Sequence, residues 1–567
     1  MRRQFLLFCT VLLGLTAVQA QNALFIPDTL SGSRIELNLQ KGMVPYFNGT
    51  ATATMGANGD ILGPTLFLQH GDSVFMTVNN HLDDTTTVHW HGLHVAPEND
   101  GGPHTYMIPN ATWKPAFRVL DRAATYWYHP HLHHKTDKHV SKGIAGLIIV
   151  RDEAEAALEL PRTYGVDDIP LVLQTKDFDA DNQIVAHSNS DDVLLVNATL
   201  NAFMELPAQV IRFRLLNGSS QRAFHIGLSN QAQFYQIASD GGLLAEPYVT
   251  KRLVLAPGER AEILVDLSNL QGQEISIKSF ASELPNGIYG ASNPGMGANM
   301  TLNGYSPNPL NGADFDLLVI KVVAQNSNPI VQIPATLVDT KPLKSADADI
   351  TRTLTFTAAT MGMNQLNGNF LINNTPFDMM KVNYDIPLDH TEIWSLSNQS
   401  GIAHPFHIHD VQFNIISRGG AAPAANEQGW KDVVLVRPME TVQFLTKFED
   451  FFNSQIPYMY HCHLLTHEDM GMMGQFTVST QAGISIANSR GVLTKLYPNP
   501  SHGSIELVSN TQIQDIEVCD EWGRQVPVDF QSDWYACSVA GLPNGLCLVK
   551  IFYANGSQET RRVLVRM

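Results

Sequence analysis

The stretch "HCHLLTHEDMGMM", His461 to Met473, packs three histidines, a cysteine and three methionines into thirteen residues. Imidazole is the commonest protein metal ligand, and thiolate and thioether sulfurs are soft donors. Ten of the 21 histidines fall into four short groups. These are "HWHG" (His89, His91), "HPH" (His129, His131), "HPFHIH" (His404, His407, His409) and the quoted stretch (His461, His463, His467). The spacing His-X-His recurs in all four. On an extended strand residues i and i+2 project from the same face, roughly 6–7 Å apart, so each pair can offer two imidazoles to one compact site. Cys462, between His461 and His463, must then face the other way, and one strand both separates two metal sites and joins them covalently. A thiolate with two histidines and a weak methionine is the ligand set of a blue-copper centre. His404, Cys462 and His467 would form its trigonal plane and Met472 its axial ligand, with Met470 and Met473 as competitors. Zinc also accepts one cysteine and two histidines, but it leaves the other eight histidines without a purpose.

Holding such groups in place calls for strands. Short runs rich in β-branched and aromatic residues, such as "DSVFMTVNN", "TYWYHPHLHH", "AGLIIVRD", "IPLVLQTKDF", "AEILVDL" and "RTLTFTA", alternate with Gly, Pro, Asn and Asp. Amphipathic helical patterns are scarce, which predicts an all-β chain of sandwich or barrel domains. At 567 residues the chain is too long for one core. Breaks near 155–167, 325–350 and 481–495 mark boundaries. The Gly-, Asn- and Pro-rich stretch 282–313 reads as a long loop, either lining a site or running over the surface, with the surface excursion favoured.

The opening "MRRQFLLFCTVLLGLTAVQA" joins two arginines to an apolar run too short to span a bilayer and ends in small residues, as a cleaved signal peptide does. No later segment is apolar enough to cross a membrane, so an exported chain without a transmembrane segment is expected. The net charge of −18 disfavours nucleic acid as a partner. Cys462 is the lone cysteine of the main body, so disulfides cannot be what holds that body together.

The four histidine motifs, in order and spacing, resemble those of three-domain multicopper oxidases, the group of bacterial laccases, bilirubin oxidases and copper-efflux oxidases. The likeness spans roughly residues 25–480 and includes "RFRLLNGSSQRAF", "IASDGG" and "LAPGERAEILVDL". It implies three cupredoxin-like Greek-key domains at 21–155, 165–325 and 350–480, after a leader at 1–20. It also implies four coppers per chain. His404, Cys462, His467 and Met472 would hold type 1; His89 and His407 type 2; and His91, His129, His131, His409, His461 and His463 the type 3 pair. The first and third domains must then meet, since each supplies four of the eight cluster ligands. Glu468 and Asp100 match carboxylates that donate protons in this group; each also reads as an orienter of a ligand. His94, His104, His133, His134 and His139 fall outside the matched positions and read as loop or surface residues.

The resemblance implies four one-electron oxidations of a reductant coupled to reduction of O2 to two H2O, with electrons entering at the exposed edge of His404 or His467. A laccase-like reductant, a phenol or aromatic amine, is one expectation. Cuprous ion is the alternative, suggested by Met361, Met363, Met379, Met380 and Asp378, although a long methionine-rich insert is absent and residues 364–376 stand where it would begin. Copper-free scaffold relatives lose the His-X-His motifs, which this chain keeps.

After a linker at 481–495, residues 496–567 open with "LYPNPSHGSIEL" and resemble the C-terminal sorting domain of the type IX secretion route. This implies a small β-sandwich, the type IX machinery as partner, and a secreted or surface-attached enzyme that passes through the periplasm. Cys519, Cys537 and Cys547 allow three single disulfides, with one thiol left over.

Overall fold

The computed structural model describes residues 21–295, 308–359, 369–480 and 494–566, apart from 510–511, 521–522, 534–535 and 554–557. The expected leader, Met361, Met363 and linker residues 481–493 lie outside the described residues. About half of the chain, 49%, is strand and only 6% is helix, the all-β composition that the alternating runs predict. In Ser73–Asn80 every second side chain is buried, the pattern of a sheet with one face on a core. Ala124–His129 is buried at every position, because it is covered on both faces.

Four separate apolar cores are built by successive stretches of chain. Around the first, one sheet runs in the order Thr29–Ser31, Thr65–Gln69, Gly146–Arg151, Ala124–His129, His89–His91. The short strand His89–His91 pairs antiparallel with Ala124–His129, setting His89 opposite His129. Around the third core, His404–Ile408 lies between Val433–Val436 and Asn453–Cys462, with His407 opposite His461 and Phe406 opposite Cys462. Hydrogen-bond register therefore brings two histidine motifs together at the end of each sheet. The middle core rests on sheets drawn from residues 168–323 and one short strand near the start of the chain.

Three expectations need correction. Asn22–Ala23, placed with the first domain by the sequence, instead extends the middle domain's sheet by pairing parallel with Ala202 and Phe203, whose strand edge offers unpaired backbone groups. The described part of the 282–313 stretch is not a surface excursion. Leu284, Ile288 and Ala291 pack in one buried cluster with Ala403 and Leu435 of the last domain, and Ala403, next to ligand candidate His404, donates its N–H to the Gly287 carbonyl at 2.7 Å. Finally, Cys519, Cys537 and Cys547 form no disulfide; Cys537 and Cys547 are buried in the last core. That segment begins with strand Thr494–Tyr497 and touches the first domain through the Tyr497 and Tyr106 rings, 5.3 Å apart.

Candidate metal centre

Only the pair His89/His91 lies wholly inside a strand. His129, Cys462 and Ile408 are the last strand residues of their segments, so His131, His463 and His409 sit just past a strand end. The alternation survives these ends. Cys462 Sγ lies 3.5 Å from His404 Nδ1 and 3.8 Å from His467 Nδ1, while His461 and His463 turn to the opposite side and join two different histidine triplets. One triplet is His91, His129 and His463; the other is His131, His409 and His461. His89 groups with His407 and His409, completing a cage of eight buried imidazoles.

The second nitrogen of each ring explains its orientation. A backbone carbonyl can only accept, so a ring nitrogen bonded to one must carry the proton, and its other nitrogen must carry the lone pair. His89 Nδ1–H donates to the Asp100 carbonyl at 2.9 Å and His407 Nδ1–H to that of Asp432 at 2.9 Å. His129 Nδ1–H donates to the Pro130 carbonyl at 2.8 Å and His461 Nδ1–H to that of Cys462 at 3.1 Å. His409 Nδ1 lies 2.8 Å from the Asp100 carboxylate. Their Nε2 lone pairs all face the cage. His131 Nε2 lies 3.0 Å from His461 Nε2 and 3.1 Å from His409 Nε2, and the Nε2 atoms of His89 and His407 and both nitrogens of His463 are buried without a hydrogen-bond partner. Burial, reinforced by neighbouring imidazoles, drops the basicity of His91, His129, His407 and His409 well below normal, and that of His131 and His463 to about 3. Neutral, inward-facing, unpartnered nitrogens at such density fit metal ions. Burial also pushes the Cys462 thiol up, so a metal there must displace its proton.

Two stretches, residues 38–155 and 346–482, match multicopper oxidase sequence profiles, and residues 495–566 match a secretion system C-terminal sorting domain. The chain is 32% identical over 481 residues to a multicopper oxidase of Staphylococcus haemolyticus, covering 82% of this chain and 94% of that protein. The chain belongs to the multicopper oxidase family. It is also 32% identical over 477 residues to the cell division protein FtsP of Sodalis glossinidius, covering 82% of this chain and 94% of that protein. Among solved structures it is similar to a laccase-like multicopper oxidase, CueO, from Ochrobactrum sp., with a TM-score of 0.71, 32% identity and coverage of 80% of this chain and all of the other. A metallo-oxidase from Campylobacter jejuni follows at TM-score 0.65 and 25% identity, covering 81% and 94%.

As a multicopper oxidase, the protein is a copper-dependent oxidoreductase that uses O2. Around its thiolate group, Met472 is fully buried in the same core as Cys462 and accepts the Cys462 N–H at 3.0 Å through its carbonyl. Met470 is 44% exposed, pointing away from the core, and Met473 is buried opposite His461. The expected exposed histidine edge is absent. His404 and His467 are both buried, and the Phe370 ring covers them at centroid distances of 4.7 and 4.5 Å.

The two carboxylates of the multicopper oxidase cage differ in place. Asp100 ties a candidate ligand of each cage half, with its carbonyl on His89 and its carboxylate on His409. Glu468 is wholly buried, with Oε2 3.2 Å from His461 Nδ1 and Oε1 3.6 Å from His131 Nδ1. Among the described residues, His94, His104, His133, His134 and His139 join no candidate metal group. One of them is neither loop nor surface: His139 is buried in a helix against Thr86 and Asp84, while His94 sits half-buried in a loop among Asp410, Asp450 and Asp121.

Sequence reasoning missed Ser400, whose hydroxyl holds His404 Nε2 at 2.8 Å, and Asp432, which touches His91 Nε2 at 3.1 Å. Asp432 had one legible signal, a charge directly before the apolar run "VVLV" of a fully buried strand.

Proposed function

We propose that this chain is a four-copper oxidase that draws electrons singly from a laccase-like reductant, a phenol or aromatic amine, and spends four of them on one O2. The single observation that carries the reading is the position of Cys462: its thiol sits among His404 and His467, while its own carbonyl accepts the His461 Nδ1–H of the cage. Copper bound at these residues would supply one-electron exchange at the thiolate group and dioxygen reduction within the cage. His404, Cys462, His467 and Met472 hold the type 1 position; His89 and His407 type 2; and the triplets His91, His129, His463 and His131, His409, His461 the type 3 pair.

Glu468, buried between His131 and His461, is the proton donor to the cage interior. Asp100 acts first by fixing His89 and His409. Phe370 keeps water from His404 and His467, and reductants dock over that aromatic cover. Similarity to a laccase-like oxidase supports this reductant class.

A second reading, cuprous oxidation, is favoured by Met470, whose soft thioether is 44% exposed two residues from axial Met472. Likeness to a metallo-oxidase points the same way. Turnover of Cu(I) and of a dimethoxyphenol on fully loaded protein, with copper counted per chain, decides between them: phenol turnover independent of added copper supports the first reading. Fewer than four coppers per chain would remove both.

We further propose that the tail directs type IX export to the surface or medium, after cleavage of residues 1–20. Among the described residues no helix is long and apolar enough to cross a membrane.

A further inference from the structure

The middle third of the chain supplies none of the cage ligands, yet one of its side chains reaches the cage wall. Arg260 begins the buried strand Arg260–Asp266 and is itself fully buried. A guanidinium has five N–H donors in a fixed plane, and here each has an acceptor. Nε donates to the Thr125 carbonyl at 3.0 Å, Nη1 to the Gly258 carbonyl at 3.1 Å and to Asp432 Oδ1 at 2.5 Å, and Nη2 to the Asp240 carbonyl at 3.0 Å and to Asp432 Oδ2 at 2.6 Å. The fork thus grips Asp432 of the last domain with both arms. The same Asp432 Oδ1 accepts from His91 Nε2 at 3.1 Å, and the Asp432 carbonyl accepts from His407 Nδ1 at 2.9 Å.

The backbone around this pair is shaped to admit it. Gly92, next to His91, has a φ of +90°, and a Cβ there would lie 2.5 Å from Asp432 Oδ2 and 2.7 Å from Arg260 Nη2. Gly258, two residues before Arg260, has a φ of +84°, and its Cβ would lie 2.8 Å from the ring of His463. All three domains therefore converge on one ion pair, with bare glycine backbone on both sides. A bidentate pair fixes the carboxylate plane in a way a lysine's point charge does not.

We propose that Arg260 is a positioning residue of the oxygen-reducing cage: through Asp432 it sets the planes of His91 and His407, so the middle domain is part of the metal site's framework. This rests on the reading that the eight imidazoles hold copper.

The test compares copper-loaded full-length wild type, Arg260→Lys and, as a control, Arg214→Lys, whose ion pairs with Asp168 and Glu262 are equally buried in the middle domain. Readouts are copper per chain, the blue absorption of the thiolate centre, the EPR signal of the cage's uncoupled Cu(II), and turnover. Arg260→Lys should keep the blue absorption and the reductant KM, shift or lose the cage EPR signal, and bind cage copper or turn over about 10–100-fold less well. Arg214→Lys should leave the cage signal as in wild type. The proposal is overturned if Arg260→Lys keeps wild-type cage EPR and copper content, or if Arg214→Lys perturbs them equally. It also falls if both centres vanish together in Arg260→Lys, marking a general folding role. Wild-type protein without any cage signal would overturn the copper reading itself, and this proposal with it.

Discussion

Cys462 and His461 are neighbours in sequence that serve different sites: the thiol of one faces His404 at 3.5 Å, while its carbonyl holds the ring of the other at 3.1 Å. A single residue thus supplies a sulfur to one candidate metal group and a hydrogen-bond acceptor to a histidine of the next, a link that runs through one residue's backbone.

Met472 is fully buried in the same core as Cys462 and takes the axial position of the proposed blue-copper centre. Met472→Leu should raise the reduction potential of the blue centre, since a soft donor to the oxidised metal is lost. The change conserves volume and should cost less than about 1.5 kcal/mol of stability. Redox titration of the blue band checks it, and an unshifted potential would remove Met472 from the axial role.

Glu468→Gln keeps the shape of the side chain but not its proton chemistry. Reoxidation of the fully reduced enzyme by O2 should slow by about 10²-fold or more, the usual weight of a general acid, with copper content retained. Stopped-flow mixing with O2 measures this. Reoxidation at the native rate would refute the assignment, and lost copper would show that Glu468 chiefly orients His131 and His461.

His94 stitches the first domain to the third, with Nδ1 2.8 Å from Asp410 and Nε2 3.2 Å from Asp450, while its backbone N–H reaches Asp121 at 3.0 Å. Burial alone would lower its pKa, but these three aspartates together raise it to about 10. A folded pKa above the unfolded value near 6.5 means the contribution is fully present below about pH 6.5 and lost as pH rises through about 10. Melting temperature should decline over that window in the wild type and less steeply in His94→Gln. Parallel declines would show that the interface does not depend on this charge.

His131 Nε2 has two other imidazole Nε2 atoms within 3.1 Å, close enough for one metal ion to draw on all three. Chelation should therefore lower the melting temperature, by an amount that grows with the free copper level of the starting sample, about 2.7 kcal/mol at a hundredfold excess over Kd. Calorimetry of loaded and stripped protein provides the measurement; equal melting temperatures would mean that the cage is not a metal site.

The tail has its own core, and among its described residues no candidate metal group is found. Deleting residues 490–567 should leave a blue, active oxidase that accumulates in the periplasm. Fractionation of producing cells tests this, and unaltered export would count against the sorting role.

The cage was largely legible because a period of two, written in side chains, survives folding: His-X-His says which rings share a face without saying what lies opposite. Contacts across the chain left no such trace. Arg260 and Asp432 are 172 positions apart, and nothing local distinguishes an arginine at the start of a buried strand from an ordinary ion-pair residue. The burial of His404 and His467 escaped for the same reason, since the ring that covers them, Phe370, lies in another segment. The 282–313 stretch misled through composition: Gly, Asn and Pro report turns, but not whether a neighbouring domain covers them.

The cage draws half its imidazoles from residues 89–131 and half from residues 407–463. A nascent polypeptide leaving the ribosome therefore holds no complete set of ligands until more than four-fifths of it has been synthesised. Metal acquisition at the proposed cage would then be a late event of biogenesis, and a chain interrupted before His463 would lack the full set of imidazoles.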